Sequence, residues 1–300
     1  MKAIVYGEYG GPEVLRLEDI EEPHAGPGQV RLKVVAAGVN PVDYKIRRGW
    51  MPDMAPASLP AIPGVEAAGV VDEVGPGVTG VEVGDEVLAP TVTGSYAEYA
   101  LADDFARKPA GLGWETAAAL PVALETADRV LDTLMAADGE TLLVHGAAGP
   151  VGAFGVQLAV ARGVTVLGTA SPRNHDYLRS LGAYPVTYGD GLADRVRALA
   201  PHGIDAVFDA AGQDALDVSI ELRGSTDRIV TITDLRAFDL GIVFSGESRR
   251  FGAQLAEYAQ LVADDALSVR IAATFALADA ALAHELSETV HAGGKVVLIP

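Results

Sequence analysis

A chain of 300 residues, 49% hydrophobic and 21% charged, has ample apolar side chain to bury one large or two moderate cores and reads as a soluble globular protein. Its net charge of −19 argues against nucleic acid and anionic membrane surfaces as partners, since both need a basic face; the plain consequence is a solvated acidic exterior. There is no cysteine, which excludes disulfides, thiolate catalysis and thiolate–zinc sites. The opening residues lack the long apolar core of a signal peptide and no uninterrupted apolar run reaches spanning length, so a cytoplasmic protein with no membrane partner is expected.

In chain order, residues 2–6 alternate toward a strand. Gly10, Gly11 and Pro12 form a turn, and 15–19 returns as a second strand. Residues 30–37 alternate as a half-buried strand does, and 65–74 is another apolar run, broken by Gly75, Pro76 and Gly77. Residues 83–87 lead into a further strand. Short strands punctuated by glycine and proline predict a β-rich, barrel-like domain over residues 1–120. The texture then changes: 114–119 and 124–134 read as helix.

From residue 140 strands alternate with helices. Leu142, Leu143 and Val144 have the length of a buried parallel strand. Gly146, Ala147, Ala148, Gly149, Pro150, Val151 and Gly152 follow, and then Val151, Phe154, Leu158 and Ala159 recur at helical spacing. Strand, glycine turn and helix together form a candidate dinucleotide site. One glycine turns the chain, one clears the backbone for a pyrophosphate, and one lets the helix sit close to the sheet. The helix start offers free N–H groups to phosphate, and Pro150 is tolerated there because a first-turn N–H has no helical partner. Ala148 departs from the usual glycine spacing. Further strands are expected at 164–169, 185–188, 204–209 and 228–233. That order predicts a doubly wound parallel sheet over 121–265. Ala211, Gly212 and Thr233 follow strand ends, where ligands of such sheets bind. The tail from 267 returns to strand, with a helix near 277–290 and a last strand at 296–299.

Cofactor choice is read at the end of the second strand of this region. Ala170, Ser171, Pro172, Arg173 and Asn174 follow it, with no acid before Asp176. A carboxylate here would hold a ribose 2′-hydroxyl and repel a 2′-phosphate. Ser171 and the forked guanidinium of Arg173 instead suit the phosphate of NADP(H).

G-G-P-E-V-L at 10–15, A-A-G-V-N-P-V-D-Y-K at 36–45, I-P-G-V-E-A-A-G-V-V at 62–71, V-G-D-E-V at 83–87, S-Y-A-E-Y at 95–99, V-H-G-A-A-G-P-V-G at 144–152 and G-G-K-V-V-L at 293–298 together resemble the medium-chain dehydrogenase/reductases, and among them the zinc-independent quinone oxidoreductase branch. The resemblance runs almost end to end. It implies an α/β protein with a GroES-like substrate domain over 1–120, completed by 266–300, a Rossmann NADP-binding domain over 121–265, and a homodimer. It also implies cofactor contacts at Asn40, Asp43, Thr126, Tyr188, Phe244 and Lys295; the alternatives are a turn residue for Asn40, packing for Tyr188 and Phe244, and a solvated surface lysine for Lys295. Tyr44 is a candidate proton donor, with core packing as its alternative, and Trp50 and Met51 either line an apolar pocket or cover the barrel. Val65 stands where zinc-dependent relatives carry a histidine, and His24, His145, His175, His202, His284 and His291 show no ligand spacing, so no metal site is expected. Glu66 then reads as an ion-paired structural carboxylate. Glu125 and Asp128 depart from the family's pattern and either alter the pocket or face solvent. The chain is short for the family, with connections near 53–60 or Phe238 trimmed.

The reaction these features predict is hydride transfer from NADPH to a small-molecule acceptor already activated by conjugation, a quinone or an enone-like carbonyl, because no metal polarises a simple ketone. An enoyl or alkene reductase of a biosynthetic pathway is the alternative. A nucleotide-binding regulatory protein without turnover is the alternative of another class.

Overall fold

The computed structural model describes residues 1–52, 54–289 and 292–300. Asp53, in the segment expected to be trimmed, Val290, at the end of the expected tail helix, and His291 lie outside the described residues. The chain divides into two compact units: Met1–Val122 with Arg250–Pro300, and Ala123–Arg249.

The first unit is built on Val30–Val39, which pairs antiparallel with three strands, Glu66–Val74, Tyr99–Ala102 and Lys295–Ile299. Its sequence V-R-L-K-V-V-A-A-G-V buries alternate residues at first and every residue at its end, as a strand does when it passes from a sheet face into a core. The seven-stranded sheet runs from Ile271–Ala276 through Lys295–Ile299, Val30–Val39, Glu66–Val74 and Glu86–Pro90 to Ala106–Arg107, with Tyr99–Ala102 added on Val30–Val39. Lys2–Val5 and Arg16–Asp19 form a separate antiparallel pair. One core joins Ile4, Val39, Tyr96, Ala283, Val296 and Leu298; another joins Val30, Leu32, Val71 and Val87. Directly after the central strand, Pro41–Arg47 is a short helix that the alternation and apolar runs of the sequence do not predict. Pro41 fits the first helical position because its missing N–H has no helical partner there. The tail helix is Ala280–Glu288.

The second unit holds a parallel six-stranded sheet in the order Tyr184–Thr187, Thr165–Ala170, Thr141–His145, Ala206–Asp209, Ile229–Thr231, Val243–Phe244. The three central strands are almost continuously buried, which is why they read as apolar runs without alternation. Thr141–His145 has its chain-order successor on one side and the later Ala206–Asp209 on the other, so the strand order reverses there. Crevices at such switch points, beyond the carboxyl ends of the strands, are where open α/β sheets bind ligands. The sequence predicts neither Val243–Phe244, because two residues carry no periodicity, nor, in the first unit, the helix Gly252–Ala263. Among the described residues no helix is long and apolar enough to cross a membrane.

Candidate active site

The glycine turn lies at the switch point. Thr141–His145 ends, Gly146 takes φ +69°, and the helix Pro150–Ala161 begins with Gly149 as its N-cap and, among the described residues, no side-chain capping hydrogen bond. The three glycines do different jobs. Gly146 needs its left-handed backbone. A Cβ on Gly152 would stand 2.3 Å from the carbonyl oxygen of Gly146, so that glycine lets helix and turn close on each other. A Cβ on Gly149 would meet only that same oxygen, at 3.3 Å. Packing therefore asks little of Gly149, and its bare backbone suits close approach by a phosphate. Pro150 donates no N–H; Val151 and Gly152 bring first-turn amides to the uncapped end.

The residues read as a 2′-phosphate site follow two neighbouring strand ends. Ser171 and Arg173 come after Thr165–Ala170, and Tyr188 after Tyr184–Thr187, with Val186 opposite Thr169 and Thr187 opposite Ala170 in the parallel ladder. Ser171 Oγ accepts from Asn174 Nδ2 at 3.3 Å, Arg173 is exposed, and Tyr188 is 45% exposed. Thr126 is buried on the helix Pro121–Leu134. On the same helix Glu125 and Asp128 do not face solvent. They are buried ion-pair partners, Glu125 of Arg129 and Asp128 of Arg162 and Arg249. Phe244 is half-buried in the edge strand, its ring 5.4 Å from that of Phe238.

A residue that the sequence reading passed over organises the remaining loops of this unit. Asp209, fully buried, ends its strand opposite His145 on one side and Thr231 on the other. Its Oδ1 accepts the backbone N–H groups of Ala211 (3.0 Å) and Gly212 (2.9 Å), and its Oδ2 accepts the Thr231 hydroxyl at 2.7 Å. Burial pushes this carboxyl up, against those hydrogen bonds. A strand-final acid was visible in I-D-A-V-F-D, but nothing local says that its side chain turns inward. His145 is buried too. Ser219 gives its hydroxyl hydrogen to the carbonyl of Ala215, so His145 Nε2 is the donor in the 3.1 Å contact between His145 and Ser219.

In the first unit a polar network is buried, with Asn40, Asp43 and Lys295 keeping 5%, 3% and 2% of their surface exposed. Lys295 is 2% exposed and ion-pairs with Glu66, which is fully buried. Lys295 Nζ also donates to Asn40 Oδ1 at 2.7 Å, and Asn40 Nδ2 donates to Glu66 Oε1 at 2.7 Å. A lysine only donates, so it fixes which way the Asn40 amide points. The other oxygen of Glu66 accepts the Val122 N–H at 2.7 Å. Gly38 makes room for this: a Cβ there would lie 2.2 Å from Glu66 Oε1. Lys295 is therefore not a solvated surface lysine, and Glu66 is the ion-paired carboxylate expected.

Asp43 is bound into the same region. Its Oδ2 accepts the Asn40 backbone N–H at 2.8 Å and the Tyr96 hydroxyl at 2.9 Å, while its Oδ1, also buried, has no partner among the described residues. The chain of donors behind Tyr96 has one direction. Arg47 has no acceptor, so it donates to His284 Nδ1 at 2.8 Å. The imidazole hydrogen then sits on Nε2, which donates to the Tyr96 oxygen at 3.2 Å. Burial and the Arg47 charge push His284 down to about 3, so it stays neutral. Burial pushes Asp43 up to about 7, opposed by the hydrogen bonds from Asn40 and Tyr96. Arg47 and Arg48 both ion-pair with Glu288. Tyr44 is half-buried, its phenol pushed up by burial and then by Glu288, and its ring stands edge-on to that of Trp50 at 6.3 Å. Trp50 is 59% exposed, and the Arg48 guanidinium lies 5.3 Å from its ring centroid.

No group of three or more His, Cys, Asp or Glu side chains is arranged to hold a metal ion among the described residues.

This architecture has known counterparts. Residues 26–121 match the family model described as alcohol dehydrogenase GroES-like domain, and residues 181–298 match that described as zinc-binding dehydrogenase. A chloroplastic NADPH-dependent alkenal/one oxidoreductase of Arabidopsis thaliana is 38% identical over 247 residues, covering 78% of this chain and 62% of the relative. The chain spans 62% of the length of the first curated relatives it matches. A quinone oxidoreductase from Coxiella burnetii is similar in structure with a TM-score of 0.89 and 33% identity, over 100% of this chain and 99% of that one. A mycobacterial protein solved in complex with NADPH gives a TM-score of 0.85 at 30% identity, over 100% of both chains. The chain belongs to the medium-chain dehydrogenase/reductase family, in its quinone oxidoreductase-like branch.

Proposed function

We propose that this protein is an oxidoreductase that moves a hydride from NADPH to a quinone or a related conjugated carbonyl. The observation that carries the reading is the uncapped glycine turn at the switch point, whose Gly149 backbone is bare without a packing reason. The names of the relatives, quinone oxidoreductase and NADPH-dependent alkenal/one oxidoreductase, support the acceptor class and the cofactor. NADPH supplies the hydride when bound. Gly146 to Gly152 would hold its pyrophosphate on backbone N–H groups, with Ala211, Gly212, Thr233, Phe244 and Thr126 as further contacts. Asn40, Asp43 and Lys295 belong to the same proposed set. Tyr44, whose phenol keeps its proton at neutral pH, is the candidate donor to the reduced acceptor. Trp50 and Met51 are proposed as apolar contacts for the acceptor.

The enzyme is proposed to work without zinc. Val65 and the lack of cysteine support this, and so does Glu66, whose charge Lys295 already neutralises. Elemental analysis is expected to find no stoichiometric zinc, and chelator to leave turnover unchanged; activity lost to chelator and restored by zinc would reject the assignment. A homodimer in the cytoplasm completes the proposal, with sedimentation and cell fractionation as its checks.

The deciding experiment follows NADPH oxidation with a panel of quinones and a panel of enones and enoyl thioesters. Turnover of quinones is expected. Turnover with alkenes alone would favour the alkene-reductase reading, which the alkenal/one relative supports. Cofactor binding without turnover of either panel would favour a regulatory nucleotide-binding protein. The choice of NADPH rests on Arg173: Arg173→Ala should erode a preference of about tenfold to a hundredfold over NADH while sparing NADH. Equal affinities in the wild type, or parallel losses in the mutant, would refute it.

A further inference from the structure

We propose that Asp209 and Thr231 form a buried brace that positions the cofactor by locking two binding loops to each other. Thr231 is the relay. It gives its hydroxyl hydrogen to Asp209 Oδ2 (2.7 Å), and its oxygen accepts the N–H groups of Thr233 (3.2 Å) and Asp234 (3.1 Å). The hydroxyl is thereby used to capacity, one donor and two lone pairs. Asp209 spends its other oxygen on Ala211 and Gly212. One carboxylate thus ties the backbone of 210–212 to that of 231–234. The two loops also touch: a Cβ on Gly212 would lie 3.2 Å from Thr233 Oγ1, and Gly212 takes φ +66°. The first loop in turn backs the glycine turn, since a Cβ on Gly146 would meet the Ala210 carbonyl oxygen at 3.1 Å. Two loops at the carboxyl edge of the sheet therefore depend on one buried acid that itself needs no contact with cofactor, and the glycine turn stands close against the first of them. The brace stands on these hydrogen bonds; its positioning role rests on the proposed reading of the three loops as the NADPH site.

The chemistry of the brace makes it separable from general stability. Asp209→Asn keeps an oxygen for Ala211 and Gly212, but turns an amide NH2 toward a hydroxyl whose lone pairs are taken and whose hydrogen has lost its acceptor. Thr231→Val removes the relay outright, and Thr231→Ser keeps it. Amide hydrogen exchange without cofactor is expected to speed up at Thr233 and Asp234 by ~10-fold or more in Asp209→Asn and Thr231→Val, and to stay at the wild-type rate in Thr231→Ser. Fluorescence titration should show the NADPH dissociation constant rising by roughly 10-fold in both variants, with the double variant no worse than the weaker single, and with Thr231→Ser unchanged. If Asp209→Asn does not fold, the Thr231 pair carries the same comparison. Unchanged exchange at Thr233 and Asp234 would overturn the brace. Faster exchange with unchanged NADPH affinity would overturn its positioning role. A wild-type protein that binds no NADPH would instead overturn the reading of the site, and the positioning role with it, while the exchange rates still report on the brace.

Discussion

Asp43 is held between opposed influences, and its pH dependence can be worked out from them. Its folded carboxyl titrates near 7, above the ordinary 3.8, so in the folded state it keeps a proton that the unfolded chain has lost. Its contribution to stability is complete below about pH 4 and fades as pH rises through 7. His284 and His145 behave oppositely. Burial pushes them to about 3 and about 4 from 6.5, so their contribution is present above 6.5 and is lost as pH falls. Between pH 4 and 6.5 one falling slope thus offsets one of two rising slopes. Asp43→Asn removes the offset, and its stability should fall more steeply on acidification than the wild type's, by about 1.4 kcal/mol per pH unit. Urea unfolding at a series of pH values measures this, and parallel curves through the window would contradict it. The Lys295–Glu66 pair allows a second test. Lys295→Met leaves a buried carboxylate without its cation and should cost about 3–5 kcal/mol, much of which Glu66→Gln in the same chain restores. Thermal unfolding of the two singles and the double gives the coupling.

The glycine turn shows how one short element divides structure from binding. Gly152→Ala drives a Cβ against the Gly146 carbonyl, where backbone must move, and should both destabilise the fold and weaken NADPH binding. Gly149→Ala adds a methyl group that meets only one atom at 3.3 Å, on a backbone that alanine accepts at φ −75° and ψ 164°. Its stability should change by no more than about 1 kcal/mol, the cost of alanine at an N-cap, while NADPH affinity falls. Paired denaturation and titration curves decide the matter; equal affinity in Gly149→Ala and wild type would remove the phosphate from this turn. The helices Pro41–Arg47 and Ala280–Glu288 illustrate a different economy. Asp43 and Arg47 stand four apart on one, His284 and Glu288 four apart on the other, and Tyr96 closes the network between them.

For the molecule as a whole, a charge of −19 sets a general expectation. Self-repulsion of surface carboxylates opposes the compact state, and salt screens it. Moderate sodium chloride should therefore raise the unfolding temperature at pH 7, as read by calorimetry from 10 mM, where the Debye length is about 30 Å, to 300 mM, where it is about 6 Å. A falling midpoint would mean that surface ion pairs such as Arg197 with Glu221 and Arg228 with Glu140 outweigh the repulsion.

Much of this protein was legible in the linear order of its residues. Apolar runs, alternation and glycine punctuation are local signals, and they set out the parallel sheet, the glycine turn and the change of texture between a β-rich and an α/β region. The family resemblance rested on the same short motifs. Two things were not legible. The first was the weak elements: Val243–Phe244 is too short for a period, and Pro41–Arg47 hides behind a proline that reads equally well as a turn. The second was the fate of polar side chains. Lys295 lies 229 positions from Glu66, His284 lies 237 from Arg47, and Asp209 reaches 22 positions ahead to Thr231. In the sequence each is an ordinary charged or polar residue, as apt for solvent as for a core. Only the tertiary structure decides between them, because a buried charge is tolerable only where folding supplies its partner, and that partner is brought by pairing of strands and packing of helices rather than by any neighbour in the chain.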